Sequence, residues 1–206
     1  MHVYVVGRTP FSTLLSVIAR MAADGSGIHS CLVRVGLHGG TMTGSLSQDP
    51  MKTLRTMIKW DGVQSSLHYL NSLSQHRYTG LFLFDGERLK NTYIHDRQAA
   101  VQSLFPEMAA NYSYCLTVKK SGQPFRVANA PQDERLVGHP ARDSVKSYCG
   151  APLRDHQGEI FGTVCNFSLD PCRSGNEEIP LLEGFAVVLL ECERLREIGW
   201  RNPSTR

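Results

Sequence analysis

Ser147-Tyr148-Cys149-Gly150-Ala151-Pro152-Leu153 and Gly158-Glu159-Ile160-Phe161-Gly162-Thr163-Val164-Cys165-Asn166-Phe167 are the two runs on which the fold is read. The second is rich in aromatic and β-branched residues. Arg154-Asp155-His156-Gln157-Gly158 between them is too short for a parallel crossover, so the two strands pair antiparallel. Strand alternation sends Tyr148 and Cys149 to opposite faces and places Phe161, Thr163, Cys165 and Phe167 on one face. Gly158 supplies the turn. Gly162 weakens the strand it sits in, and therefore marks a bulge or a close backbone approach. Pro152 donates nothing to a ladder, which predicts an edge position or a break there.

Working back from this pair, Phe125 to Ala128 predicts a short strand after the Ser121-Gly122-Gln123-Pro124 turn, and residues 129–144 form a polar crossover. Tyr114 to Val118 reads equally as a helical turn or a strand. Tyr78 to Phe84 and Leu89 to Ile94 are strand-like and flank Asp85-Gly86, a hairpin signal. Arg97 to Phe105 predicts a short helix ending before Pro106. Upstream, Met51, Leu54 and Ile58 make one helical stripe and Val63, Leu67 and Leu70 another, interrupted at Asp61-Gly62. Downstream, Ile179, Leu182, Phe185, Ala186, Leu189, Cys192 and Leu195 predict one long amphipathic helix reaching Ile198. Val187, Leu190 and Leu181 lie off its main stripe. The order predicts an α+β domain: one central antiparallel sheet, helices on one face, and a loop-rich crossover on the other.

Residues 1–50 are less legible. Val3–Val6 and Leu32–Val35 read as short strands, and Thr9-Pro10 opens a helix through Phe11, Leu14, Leu15, Ile18 and Met21. Residues 36–50 read as a surface loop. The division expected is an N-terminal extension of unassigned role over 1–50, one domain over 51–200, and a tail over 201–206.

The composition narrows the function. With 206 residues, 41% hydrophobic and 20% charged, the chain is of ordinary globular type rather than disordered or fibrous. No apolar run is long enough to span a bilayer, and the first residues do not resemble a secretory signal, so a cytoplasmic protein without a membrane partner is expected. The net charge of +3 is too small to imply a nucleic-acid partner, and the basic residues of the first 60 positions form no recognisable reading helix. The six cysteines are spread along a chain well supplied with core residues, and are read as free thiols. The histidines show no HExxH or tight Cys/His spacing, so no metal is expected and no cofactor is assigned.

The Ser147–Phe167 stretch resembles the C-terminal half of a GAF domain, in which a "Y-x-G-x-P-L … G-x-x-x-G-x-L-C" pattern crosses two adjacent strands. Ser121-Gly122-Gln123-Pro124-Phe125-Arg126-Val127 and Asp133-Glu134-Arg135 are similar to the segment that family places upstream. The Tyr78–Tyr93 hairpin and the Glu177–Ile198 helix fall where the family has its first strands and last helix. The likeness covers about residues 55–198 and implies a six-stranded sheet. It also implies a small-molecule pocket between sheet and crossover, and a homodimer formed through terminal helices.

Ligand-binding candidates are therefore sought at the crossover. Arg142 suits a two-pronged grip on a carboxylate or phosphate, His139 and Asp143 could orient a polar ligand, and Tyr148 stands on the strand beneath. Phe84 and Tyr93 are candidate walls. The expected function is a stand-alone sensory or regulatory domain of bacterial signal transduction, binding a small molecule and signalling through its dimer or a separate output partner. An enzyme is the lesser expectation. The runner-up is a redox enzyme or thiol sensor related to free methionine sulfoxide reductase, using Cys115 or Cys149. Gly138-His139-Pro140-Ala141-Arg142-Asp143 is similar to that enzyme's "G-H-I-A-C-D" segment, but Arg142 stands where its reactive cysteine would be. A ligand-free dimerisation scaffold is the third reading.

Overall fold

A computed structural model of the chain describes residues 49–98, 107–173, 175–196 and 198. The expectations for residues 1–48 and for the tail at 201–206 lie outside the described residues, as does most of the helix expected at Arg97–Phe105; Arg97 and Gln98 themselves form a turn.

The chain is described from Asp49, whose carboxylate caps the first helix by accepting the Met51 amide at 3.0 Å, with Pro50 in the first turn. Helix α1 (Pro50–Trp60) and helix α2 (Gly62–Ser72) are separate elements, broken at Asp61, with Gly62 in the left-handed region at φ 84°. Strands β1 (Tyr78–Asp85) and β2 (Arg88–Asp96) form the expected hairpin, and β3 (Met108–Ala109) pairs with the start of β2. The ambiguous Tyr114–Val118 stretch resolves as helix: α3 is Cys115–Ser121, closed by Gly122 at φ 68°. Strand β4 (Phe125–Val127), two 3₁₀ turns, and strands β5 (Ser147–Arg154) and β6 (Ile160–Ser168) follow, then helix α4 (Glu178–Glu191).

The six strands form one antiparallel sheet in the order β3-β2-β1-β6-β5-β4. Each face carries its own core. On one, Leu54 and Ile58 of α1, Leu67 and Leu70 of α2, and Leu182, Phe185 and Leu189 of α4 pack on Leu81, Cys149, Ala151 and Val164 of the sheet. On the other, Tyr78, Phe82, Tyr148, Cys165 and Phe167 of the sheet meet Tyr114, Cys115 and Val118 beside Ala130, Leu136 and Ala141 of the crossover.

Pro152 sits past the end of β4, whose pairing stops at Gly150, so the missing amide costs no ladder bond on that side. Gly162 is the close approach expected of it: a Cβ there would lie 2.4 Å from the Phe82 carbonyl oxygen.

Two readings are corrected. The last helix does not run to Ile198. It stops at Glu191, Glu193 turns the chain at φ 54°, and a 3₁₀ turn over Arg194–Arg196 folds Leu195 and Ile198 back onto the core. Phe161 does not share a face with Cys165 and Phe167. Leu153 pairs with Gly162 and Arg154 with Ile160, so Phe161 is the extra residue of a bulge and packs on the helix-side core. The bulge at Thr92, between the Leu81–Tyr93 and Phe82–Asn91 pairs, acts likewise on β2. Leu89 faces the crossover core while Tyr93 faces the helices.

A buried polar cluster ties α4 to the sheet. Glu178 Oε1 accepts from His76 Nδ1 at 2.9 Å, from Ser74 Oγ at 2.5 Å and from Asn166 Nδ2 at 2.8 Å. Because a carboxylate only accepts, the His76 proton must reside on Nδ1. Asn166 in turn accepts from Thr79, which accepts from Asn71 at 2.9 Å. Burial pushes the Glu178 carboxyl up, but the His76 imidazole and the two other donors outweigh it and hold the group below the usual carboxylate range.

Candidate functional site

Between the sheet and the crossover lies a partly open cavity of about 280 Å³. Its floor is sheet: Phe82 from β1, Cys165 and Phe167 from β6, and Tyr148 from β5. Its roof is Tyr114 and Cys115 at the start of α3, with Ala141 and Val145 from the crossover. Tyr112 and Leu169, both exposed, and Met108 complete an apolar rim. The lining contains no Asp, Glu, Lys, Arg or His. The polar groups that face inward are hydroxyls and thiols.

Tyr148 is placed there by a glycine two positions on. A Cβ at residue 150 would lie 2.2 Å from the Tyr148 hydroxyl oxygen, so the phenol lies along β5 over Gly150. Gly150 pairs with Cys165 on β6, which brings the hydroxyl over the two thiols. Tyr148 donates to Cys115 Sγ at 3.5 Å. Burial raises the Tyr148 hydroxyl well above its ordinary pKa, and the neighbouring sulfurs add to that, so it remains a proton donor at any physiological pH. Tyr114 is raised to about 12, chiefly by burial, and its hydroxyl donates to the Val145 carbonyl at 3.2 Å, closing the roof.

Of the residues expected at the site, Tyr148 and Cys115 line the cavity. His139 is second to them: its ring stacks on Tyr114 with centroids 4.6 Å apart, its Nδ1 accepts the Ala141 amide at 3.1 Å, and burial lowers its pKa. Arg142 is engaged within the loop, donating from Nε to the Ala130 carbonyl at 3.1 Å and from Nη2 to the Pro131 carbonyl at 2.6 Å. Asp143 points to solvent. Phe84 packs against the crossover-side core outside the cavity lining, with the Lys119 ammonium 4.5 Å from its ring centroid. Tyr93 and Cys149 belong to the other face. There burial pushes the Cys149 thiol up to about 12, so Cys149 and Cys115 are separated by the sheet and differ in reactivity.

Sequence reasoning placed Cys165 on a strand face with Phe167 and gave it no role at the site. The signal that could have found it was the Gly150 pairing position beside Tyr148, once β5 and β6 were in register. Since Arg142 braces the crossover through the Ala130 and Pro131 carbonyls, Arg142→Ala is expected to cost about 1 kcal/mol. It should also speed amide exchange across residues 129–146, a change read by hydrogen-exchange mass spectrometry while α4 stays protected.

A larger, polar groove of about 620 Å³ runs between α2 and β2. His68 and His95 meet on it, ring centroids 4.5 Å apart; burial and then His68 lower the His95 pKa. Its Arg97 guanidinium is taken by Asn71 and the Ser74 carbonyl. Among the described residues no group of three or more His, Cys, Asp or Glu is placed to hold a metal ion, and no helix is long and apolar enough to cross a membrane.

Comparison with known proteins agrees with this architecture. A GAF sensor protein from Burkholderia vietnamiensis is similar at 20% identity and TM-score 0.56, over 71% of this chain and 94% of that one. The free methionine-R-sulfoxide reductase of Neisseria meningitidis, solved with its substrate, is similar at 13% identity and TM-score 0.58, over 79% and 98%. The GAF domain of an Acinetobacter phosphoenolpyruvate-protein phosphotransferase is similar at 12% identity and TM-score 0.56, over 77% and 99%. No curated protein matches the sequence significantly. These likenesses speak for the fold; the family follows from the match of the GAF domain model to residues 11–189. The chain belongs to the GAF domain family.

Proposed function

We propose that this chain is a sensory or regulatory GAF domain that holds a small, neutral, largely apolar molecule in the crossover-side cavity. The observation that carries this reading is the lining: a partly open space of about 280 Å³ whose walls are aromatic and aliphatic, with hydroxyls and thiols but no acidic or basic side chain. A nucleotide phosphate or another anion would enter with a negative charge that no cationic side chain there could pair, and burying it unpaired is costly. A bound occupant would touch Ala141, Ser144 and Val145 directly, so it would favour the closed crossover over open arrangements, a shift of population rather than a new fold. Pairing with a second copy through the terminal helices belongs to the same reading. Trp60, 73% exposed on α1, and Val187, 54% exposed on α4, leave apolar surface there.

The test is thermal-shift titration with 1-naphthol and with naphthalene-1-sulfonate, the same ring carrying a charge. The neutral compound should raise the melting temperature in a saturable way and the sulfonate should not. Ala141→Phe, which fills the cavity from its roof, should remove the response to 1-naphthol. Equal responses to both compounds, or a response that survives the filled cavity, would sink this reading.

A further inference from the structure

We propose that Cys115 and Cys165 act as a reactive thiol pair inside this cavity, reducing small apolar organic hydroperoxides and recording the event as a disulfide. The inference rests on the cavity's admitting small molecules, as argued above, and adds chemistry to it.

Four observations lead there. The two sulfurs are near neighbours although fifty residues apart in sequence, one at the start of α3 and one on β6, both beneath the Tyr148 hydroxyl. Both are among the residues that line the cavity. Cys115 also accepts a hydrogen bond from the Tyr148 hydroxyl at 3.5 Å. Such an arrangement is of little use to a passive core thiol, but it stabilises a sulfur anion. The rim of Tyr112, Met108 and Leu169 is apolar, and favours a hydroperoxide carrying a hydrocarbon group over hydrogen peroxide.

The electrostatics agree in direction. Burial alone would raise both thiols. The donors around Cys115 bring it below the ordinary thiol value, whereas burial and the Cys115 charge hold Cys165 well above it. Cys115, which takes the Tyr148 hydrogen bond, is the nucleophile of the pair and Cys165 the resolving thiol.

The chemistry balances. The Cys115 thiolate attacks the terminal oxygen of R–O–O–H, an S–O bond forms and the O–O bond breaks. The departing alkoxide takes up the proton that Cys115 had released, giving the alcohol R–OH and a Cys115 sulfenic acid. The Cys165 sulfur then attacks the Cys115 sulfur. The S–O bond breaks, hydroxide leaves with the Cys165 proton as water, and the S–S bond forms. Two thiols lose two electrons and the hydroperoxide gains them. A dithiol reductant resets the pair by exchange. Tyr148 acts as a positioning residue through its hydrogen bond to Cys115.

The experiment uses the full chain, reduced and desalted, mixed with one equivalent of cumene hydroperoxide and quenched with iodoacetamide. Peptide mass spectrometry should find Cys115 joined to Cys165 and one cumyl alcohol released per chain. The reaction should run roughly tenfold or more faster than with hydrogen peroxide, the advantage expected from burying an aromatic ring. Cys165→Ser should stop at a dimedone-reactive sulfenic acid on Cys115. Tyr148→Phe should move the pH profile of the reaction upward, which a purely structural role would not do. Failure of the crosslink to form, or a crosslink between other cysteines, would overturn the proposal. Stabilisation by cumyl alcohol without any crosslink would overturn this inference and leave the binding reading standing; the absence of both would remove the two together.

Discussion

Replacing Glu178 by leucine is expected to cost about 3–5 kcal/mol, the penalty for removing one member of a buried, hydrogen-bonded polar pair. The loss arises less from the missing carboxylate than from what it leaves behind. His76 Nδ1, Ser74 Oγ and Asn166 Nδ2 all donate to the one oxygen, and His76 is wholly buried, so no water can take the carboxylate's place without opening the N-terminus of α4. His76→Leu should cost a comparable amount. The double variant, with both partners apolar, should recover part of the sum; urea denaturation of all four proteins reads this directly as a coupling energy. Additive losses would show that the two side chains do not act as a pair. The pH dependence follows from the same contacts. The Glu178 carboxyl lies below the usual carboxylate range in the folded chain, so its contribution is present above the unfolded-state value and is lost as pH falls through the folded one. Stability of the parent chain should therefore decline more steeply on acidification than that of Glu178→Leu. A parallel decline in both would refute the assignment.

Gly162→Ala is the second large effect. A Cβ at this position would stand 2.4 Å from the Phe82 carbonyl oxygen, 3.0 Å from Leu83 Cδ2 and 3.3 Å from Leu153 Cδ1. The first contact is with backbone, and β1 cannot move aside because it is held between β2 and β6 at the centre of the sheet. The expected cost is roughly 3 kcal/mol, the upper part of the range for overpacking. That corresponds to a fall of about 6–12 °C in melting temperature for a domain of this size. Gly158→Ala is the control: its φ of 86° is unfavourable to alanine, but a Cβ there would meet nothing within 4 Å. The cost should be about 1 kcal/mol, from backbone conformation alone. Near-equal melting temperatures for the two variants would mean that the strands do not approach this closely.

Both effects bear on function. Glu178 fixes α4 to the sheet, and Gly162 keeps β6 against β1, where Cys165 and Phe82 form neighbouring parts of the cavity floor. A sheet that loosened at either place would lose the register that brings the Tyr148 hydroxyl over the two thiols.

The alternation and turn residues of Ser147–Phe167 were enough to establish an antiparallel pair, and Asp85-Gly86 a second, because period-two hydrophobicity and left-handed turn glycines are local properties. The helical stripes of α1, α2 and α4 were legible for the same reason, as was the opposition of Tyr148 and Cys149. Faces beyond a bulge were not. One inserted residue at Thr92 and another at Phe161 reverse the alternation, and a bulge is fixed by the partner strand rather than by the strand's own sequence. The site was less legible still. Arg142, Asp143 and His139 were chosen as polar residues in a crossover, yet whether a guanidinium meets a ligand or the carbonyls of its own loop depends on where the loop folds. Cys165 looked like a small core residue until the pairing of Gly150 with it set its sulfur beside Cys115 and under Tyr148. Local sequence determined the elements and the order in which they alternate. Only the tertiary structure decided which side chains share a cavity, because that choice is made by long-range register, and long-range register is a property of the assembled sheet.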